Sequence, residues 1–265
     1  MRLHVAMKQT RMLSLGAGVQ STTVALLAVH GLVEPPEHVI FSDTQVEPQA
    51  VYQHFQWLTP ILENAGMQVH TVTVGNLIDI TLAGTFNPIP TYLKSGQSLQ
   101  LGRRQCTYQH KIRPIVQKQR ELIGLGYRQK WKPGHGEIIN MMGISLDEIQ
   151  RAKDNRVKYI KNTFPLLDLR MKRTDCIAWL DKHGYTAPRS ACYICPYHSN
   201  AEWRELKKSN EWHKIVKFDK DMRKKYPNTY LHKSGKPINE VDLRTEEEQG
   251  QYTLFDNECE GMCGL

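Results

Sequence analysis

The sequence predicts an α/β fold, in which a doubly wound, mainly parallel sheet is followed by a helical, cysteine-bearing C-terminal region. Short apolar runs typical of buried strands alternate with longer segments of helical spacing. A glycine-rich turn separates the first of these strands from the first helix. The 265 residues suffice for a large core. We expect an α/β domain over residues 1–165 and a helical region over residues 166–265.

The elements follow from the pattern in chain order. Apolar runs and flanking turn residues predict strands that end near Leu13 and cover 38–41, 67–74 and 138–144, with helices over 24–29, 46–65 and 214–225. Further helices are expected through Arg120, after Ser145 and from Arg173. Glycine and proline interrupt residues 76–101, which we expect to form a long loop beside the site.

The glycine-rich turn is the first candidate site. It comprises Ser14, Gly16, Ala17, Gly18, Gln20 and Ser21. Residues with small side chains let backbone N–H groups close around an anion, and the positive end of the following helix would attract phosphate. The pattern is neither a Walker A loop, because no Gly-Lys-Ser/Thr follows, nor the dinucleotide fingerprint.

The run Gly16-Ala17-Gly18-Val19-Gln20-Ser21 resembles the loop of the PP-loop ATP pyrophosphatases, the adenine nucleotide alpha hydrolase-like superfamily that includes the phosphoadenosine phosphosulfate reductase-like family. The usual form of that loop is Ser-Gly-Gly-x-Asp-Ser, and Gln20 stands where the ATP-splitting members carry Asp. The resemblance implies a nucleotide, either ATP or adenosine phosphosulfate, at the carboxyl edge of the sheet, with Mg²⁺ assisting where pyrophosphate is released.

Other short motifs resemble the same superfamily in the same order. Asp43-Thr44 follows a strand as it does in sulfonucleotide reductases, and Cys106-Thr107 before Lys111-Ile112-Arg113-Pro114 is similar to an element of DNA phosphorothioation enzymes. The resemblance implies nucleotide contacts from Asp43, Thr44, Arg103, Gly143 and Ile144, and a catalytic role for Lys111.

The cysteines supply a second candidate site. Cys192 and Cys195 form a CxxC pair, and Cys106 and Cys176 complete a set of four thiols before the tail. Related thiolation and sulfonucleotide enzymes imply a 4Fe–4S cluster on this set, and Zn²⁺ is the alternative because it accepts the same ligands. The tail, with Cys259 and Cys263, resembles the C-terminal Glu-Cys-Gly-x-His of sulfonucleotide reductases, which implies a catalytic thiol there.

The formal net charge of +8 favours an anionic partner. Basic residues interleaved with tryptophans after Cys195 favour nucleic acid, either tRNA or DNA, although a solvated helix face explains the same lysines. We find no signal peptide and no membrane-spanning apolar run, and we expect a cytoplasmic protein that works with a cysteine desulfurase or a thioredoxin-like reductant. Whether it forms a homodimer stays open.

The leading hypothesis is a PP-loop enzyme that uses ATP to activate nucleic acid for sulfur insertion, with an iron–sulfur cluster. The first alternative is a sulfonucleotide reductase, which would hold adenosine phosphosulfate in the same loop and attack it with a tail cysteine. The second is a nucleic-acid-binding module stabilised by zinc.

Overall fold

The computed structural model describes residues 7–244. Its strands are β1 (Gln9–Leu15), β2 (His38–Ser42), β3 (Gln68–Val72), β4 (Tyr92–Ser95), β5 (Ser98–Leu101), β6 (Glu137–Met142), β7 (Ile160–Thr163) and β8 (Thr229–Tyr230). Its α-helices are α1 (Val19–Val29), α2 (Gln49–Asn64), α3 (Leu77–Ala83), α4 (Arg113–Leu122), α5 (Pro165–Asp168), α6 (Arg173–Lys182), α7 (Asn200–Lys208) and α8 (Trp212–Lys225). A π-helical turn covers Tyr108–Ile112, and 3₁₀ turns cover Pro133–His135, Leu146–Arg151 and Ile238–Glu240.

The described chain folds into two compact units, each built from three stretches that alternate along the sequence. Unit 1 contains residues 7–43, 49–74 and 110–190, and unit 2 contains residues 44–48, 75–109 and 191–244. No helix within residues 7–244 combines the length and apolar character needed to cross a membrane.

Unit 1 is built on a five-stranded sheet in the order β3-β2-β1-β6-β7. Every pairing in it is parallel, and Met12 in the central strand lies opposite His38 on one side and Asn140 on the other. The chain therefore winds outward from β1 in one direction and from β6 in the other. This arrangement confirms the predicted doubly wound α/β fold.

Both faces of the parallel sheet are buried, as its apolar strands require. Leu13 and Leu15 point to the face covered by α1, α2 and α6, whereas Met12 packs on the opposite face with Ile40 and Ile138. Most of α1 lies within the first of these cores, which is why its residues are small or apolar rather than amphipathic.

Unit 2 contains helices and a small antiparallel sheet in the order β5-β4-β8. Its core includes Trp203 from α7 and Phe218 and Met222 from α8, all fully or almost fully buried. Ile215 lies on the same buried face of α8, whereas most lysines of this helix lie on its outer face.

The expectation of a long loop over residues 76–101 is wrong. The segment contains α3, whose first turn is capped by the Asn76 side chain accepting hydrogen bonds from the Ile78 and Asp79 amides. It also contains the β4–β5 hairpin, in which Gly96 takes a φ of 59°. The helix expected after Ser145 is a 3₁₀ turn.

Candidate nucleotide site and cysteine set

The glycine-rich loop lies at the topological switch point of unit 1. It connects the carboxyl end of β1 to the first residue of α1. Because β1 pairs with β2 on one side and with β6 on the other, the connections after β1 and β6 diverge there. Open parallel sheets form their ligand-binding crevice at this position.

Ser21 closes the loop from within. Its hydroxyl accepts the backbone N–H groups of Gly16 and Gly18, at 3.2 and 3.4 Å, and donates to the Gly18 carbonyl at 3.3 Å. Ala17 between them has a φ of 54°, which turns the chain sharply. Two loop amides thus converge on one oxygen beside a helix N-terminus, and such convergence is characteristic of anion-binding loops.

Two glycines are required here by lack of space. A Cβ on Gly18 would lie 2.4 Å from the Ser190 hydroxyl and 3.2 Å from the Ser190 backbone nitrogen. A Cβ on Gly143, which follows β6, would lie 2.7 Å from the Ser21 backbone nitrogen. The segment after β6 therefore touches the start of α1 backbone to backbone.

Gln20 bridges groups of opposite charge at the start of α1. Its Oε1 accepts a hydrogen bond from Arg173 Nη1 at 3.2 Å, and its Nε2 lies 3.4 Å from a Glu148 carboxylate oxygen. The same Nε2 lies 3.5 Å from the buried Ser145 hydroxyl. Glu148 in turn forms an ion pair with Arg151 at 2.6 Å.

Ser14 belongs to a polar network within the sheet. Its hydroxyl donates to Asn140 Oδ1 at 2.8 Å, and the same oxygen accepts Gln119 Nε2 at 2.8 Å. Asn140 Nδ2 donates to Asn162 Oδ1 at 2.9 Å. These bonds satisfy the nearly buried Asn140 and Gln119 side chains and fix the end of β1 before the loop.

The predicted contacts after β2 have other partners. The Tyr52 hydroxyl donates to Asp43 Oδ1 at 2.8 Å in unit 1. In unit 2, the buried Thr44 hydroxyl donates to Glu47 Oε1 at 3.0 Å. Nucleotide contacts from Asp43 and Thr44 stay a prediction.

The predicted catalytic Lys111 lies in the π-helical turn, together with His110. π-helical turns are rare and often occur at functional sites. The Ser42 hydroxyl donates to the His110 carbonyl at 2.6 Å, which ties this turn to the end of β2. His110 is almost fully buried, burial lowers its pKa, and its Nδ1 has no hydrogen-bond partner among residues 7–244.

Three of the four predicted metal-binding cysteines lie in unit 2. Cys106 and Cys192 pack against the same apolar core, and a turn closed by the Cys195 amide and the Cys192 carbonyl, at 2.9 Å, holds the CxxC pair. The Cys192 thiol lies 3.4 Å from Glu47 Oε1 and 3.4 Å from the Thr44 hydroxyl.

Cys176 lies in unit 1 and differs from the other three. Its side chain is fully buried in the apolar core, one helical turn from the buried Leu180. Burial raises the pKa of this thiol to about 11. In this conformation the Cys176 thiol packs among apolar side chains of the unit 1 core.

Within the described part of the chain, no group of three or more His, Cys, Asp or Glu side chains is placed to hold a metal ion. The four-cysteine site therefore stays a prediction. Arg103 is exposed and Ile144 is buried, and their contacts to a nucleotide also stay predictions. Cys259 and Cys263 lie outside the described residues.

Sequence reasoning missed Arg173, Glu148, Ser190 and His110. Arg173 is 153 residues from Gln20 along the chain, and no local pattern connects them. Glu148 lies in the turn after Ser145, and its charge alone gave no indication of its partner. Ser190 is a small residue, and only its size gave a weak indication that it could pack closely against the glycine loop.

Comparisons with known proteins give one finding. No protein-family model and no curated protein matches the chain. Among solved structures, the chain is similar to the U34-tRNA thiolase NcsA from Methanococcus maripaludis, determined with its 4Fe–4S cluster. The sequence identity is 14%, the match covers 90% of this chain and 75% of that chain, and the TM-score is 0.45.

Proposed function

We propose that this chain is an ATP-dependent enzyme that activates a nucleic-acid substrate for sulfur insertion. The observation that carries the proposal is the glycine loop at the switch point of unit 1. Its Gly16 and Gly18 amides converge beside the N-terminus of α1. This arrangement suits the phosphates of a nucleotide.

In the proposed reaction, an oxygen of the substrate attacks the α-phosphorus of ATP. The bond between the α-phosphorus and the bridging oxygen breaks, pyrophosphate leaves with that electron pair, and the substrate becomes adenylated. The loop amides and the helix N-terminus offset the negative charge that develops on the departing phosphates. Hydrosulfide then attacks the activated atom of the substrate, a bond to sulfur forms, and AMP leaves with the electron pair of the bond between that atom and oxygen.

Exposed lysines on unit 2 support the choice of nucleic acid. Lys207 on α7 and Lys214 and Lys220 on α8 are exposed, and none has an acidic partner among residues 7–244. Lys208, Lys217 and Lys224 of these helices are instead paired with carboxylates. Unpaired cations on one pair of helices suit the phosphate backbone of a polyanion.

The proposed sulfur chemistry depends on cysteines. Cys106, Cys192 and Cys195 share unit 2, and we propose them as the ligands of a 4Fe–4S cluster, with Zn²⁺ as the alternative. A cluster bound by these thiolates would supply iron for the transfer of sulfur. Within residues 7–244 the side chains are not gathered into a metal centre, and we propose that they rearrange when the group binds. Cys259 or Cys263 is the proposed alternative sulfur carrier.

The metal proposal is tested by anaerobic purification with iron, sulfide and zinc analysis. We expect iron and labile sulfide, absorption near about 400 nm and their loss in Cys192→Ser. Cys176→Ala is the matched control, since a core thiol contributes no ligand. Bound zinc without iron would contradict the cluster, and loss of metal in Cys176→Ala alone would contradict the three-thiol set.

A second candidate function is sulfonucleotide reduction. The observation that favours it is the neutral Gln20 at a loop position where pyrophosphate-releasing relatives carry a carboxylate. A reductase needs to hold adenosine phosphosulfate but not to release pyrophosphate.

One assay separates the two functions. Purified protein is incubated with ATP, sulfide and bulk tRNA or DNA, and in parallel with adenosine phosphosulfate and a thiol reductant. AMP release that requires nucleic acid, together with thionucleosides in the mass spectrum, is the expected result. Sulfite from adenosine phosphosulfate would instead establish the reductase. Absence of both thionucleosides and sulfite would contradict both functions.

A further inference from the structure

The Gln20 side chain is fixed from both sides. Its carbonyl oxygen accepts the Arg173 guanidinium at 3.2 Å, while its amide nitrogen faces the Glu148 carboxylate at 3.4 Å. The amide can satisfy both neighbours because it has an acceptor at one end and donors at the other. An aspartate in its place would attract Arg173 but repel Glu148.

The carboxylates near the loop are already occupied. Glu148 is paired with Arg151 at 2.6 Å, with side-chain exposures of 15% and 17% respectively. Asp147 Oδ1 accepts the backbone N–H of Arg173 at 2.9 Å. Mg²⁺ requires oxygen ligands that are free to coordinate it. Because Glu148 is engaged by Arg151 and Asp147 by the Arg173 amide, these two carboxylates do not fit a protein-held Mg²⁺ in this arrangement.

The same surroundings provide positive charge. Arg173 is oriented by Gln20, and Arg151 is held by Glu148. The Arg151 Nε is buried and has no hydrogen-bond partner in the part of the chain that the structure describes. Guanidinium groups bind phosphate and sulfate oxygens through planar pairs of N–H donors. The Gly16 and Gly18 amides converge on the Ser21 hydroxyl in the first turn of the helix that carries Gln20.

We infer that unit 1 holds the terminal oxyanion of an adenine nucleotide through Arg173 and Arg151 and without a protein-held Mg²⁺, with Gln20 as the positioning residue. This inference rests on the proposed function insofar as the loop binds an adenine nucleotide. It adds the chemical class of the bound group, which is a phosphate or sulfate neutralised by arginine. Gln20 thus orients an arginine, rather than a metal ion, to neutralise that phosphate or sulfate.

The test uses the full chain and two nucleotides of nearly identical shape, ADP and adenosine phosphosulfate, which end in phosphate and sulfate. Titration calorimetry measures each dissociation constant in excess EDTA and in excess Mg²⁺. We expect both nucleotides to bind, and chelation to change the dissociation constants by less than about twofold. Tighter binding of one of them identifies whether phosphate or sulfate is preferred.

Variants separate charge from geometry. Arg173→Gln should weaken binding at least about tenfold in either condition, and Arg173→Lys should weaken it less, since lysine keeps the charge and loses the planar donor pair. Arg156→Gln removes an exposed arginine of the same unit and is the matched control. Gln20→Asp should bind weakly in EDTA and recover with Mg²⁺. Urea unfolding of each variant checks that it remains folded.

Several outcomes would overturn the inference. Loss of wild-type binding in EDTA would show that a metal ion is required, and it would leave the proposed function standing. Equal affinities of the folded Arg173→Gln and Arg156→Gln proteins would show that Arg173 does not bind the nucleotide. Arginine-dependent binding without any thiolation would support the inference and contradict the proposed function. Absence of binding to ADP, ATP and adenosine phosphosulfate would overturn both.

Discussion

Replacement of Gly143 by alanine tests the close packing between the segment after β6 and the start of α1. The new Cβ would lie 2.7 Å from the Ser21 nitrogen and 2.8 Å from both the Gln20 carbonyl carbon and the Ser21 Cα. Non-bonded carbon atoms settle at about 3.5–4.0 Å, so the two segments must separate by roughly 0.7 Å or more. All three obstacles are backbone atoms, which no side-chain rotation can remove.

The magnitude follows from two opposing effects. Overpacking typically costs about 1–3 kcal/mol, and the upper end applies because rigid backbone is displaced. Restriction of the unfolded chain by the new methyl group returns about 0.4–1 kcal/mol. We therefore expect Gly143→Ala to lower the free energy of unfolding by about 2 kcal/mol. Because Ser21 moves with the helix start, ATP should bind at least about tenfold more weakly.

The assay is urea unfolding followed by circular dichroism, together with calorimetric titration of ATP into folded protein. Gly134→Ala is the matched control, because a Cβ there meets no atom within 4 Å. We expect that control to change stability by less than about 0.5 kcal/mol. Equal stability and equal ATP affinity of Gly143→Ala and Gly134→Ala would refute the reasoning.

Three further predictions address neighbouring features. Gly18→Ala should lose about 1–2 kcal/mol of stability, because the new Cβ would lie 2.4 Å from the Ser190 hydroxyl. Adding Ser190→Gly should recover part of that loss. Additive effects of the two substitutions in a double-mutant cycle would contradict this prediction. Burial lowers the pKa of His54 to about 4, against about 6.5 when unfolded, so stability should fall by about 2 kcal/mol as the pH drops from about 7.5 to about 5, since the unfolded state takes up the proton first. Urea unfolding at about pH 7.5 and about pH 5 should show a smaller loss of stability in His54→Gln than in the wild type. Part of the loss should remain, because burial also lowers the pKa of His232 to about 4. A loss equal to that of the wild type would show that His54 does not cause the pH dependence. Asn140→Ala should cost about 2–4 kcal/mol in the same unfolding assay, because it leaves three polar partners without their bonds, and a cost below about 1 kcal/mol would show that water replaces them.

The parallel sheet and its loop could be predicted because their signals are local. Strands that are buried on both faces show as continuous apolar runs, and β2 was expected at 38–41 and occurs at His38–Ser42. The glycine-rich turn appears where the period of the pattern changes from strand to helix. The position of the loop at the switch point, by contrast, follows from the sheet order that the structure shows.

Other features depend on contacts that are distant in sequence. The β4–β5 hairpin was missed because Gly96 was interpreted as a loop residue rather than as the turn of a hairpin. Cys176 was assigned to the metal set by counting thiols, and only the packing of α6 shows that it lies on a buried helix face with Leu180, so its ligation stays a prediction. The pairing of Gln20 with Arg173 could not be predicted, since the two residues come together only when α6 packs beside α1.

The alternation of the two units along the chain limits how the protein can be divided into fragments. Each unit is assembled from three stretches of the described chain, so the polypeptide passes from one to the other five times. No single truncation point yields an intact unit 1 or unit 2, and a single protease cut at any of these passages cannot release either one whole. Contacts between residues so far apart in the chain also slow folding, because long loops must close before those contacts form. Point substitutions in the full-length chain, rather than isolated fragments, are therefore the appropriate means of dividing its activities.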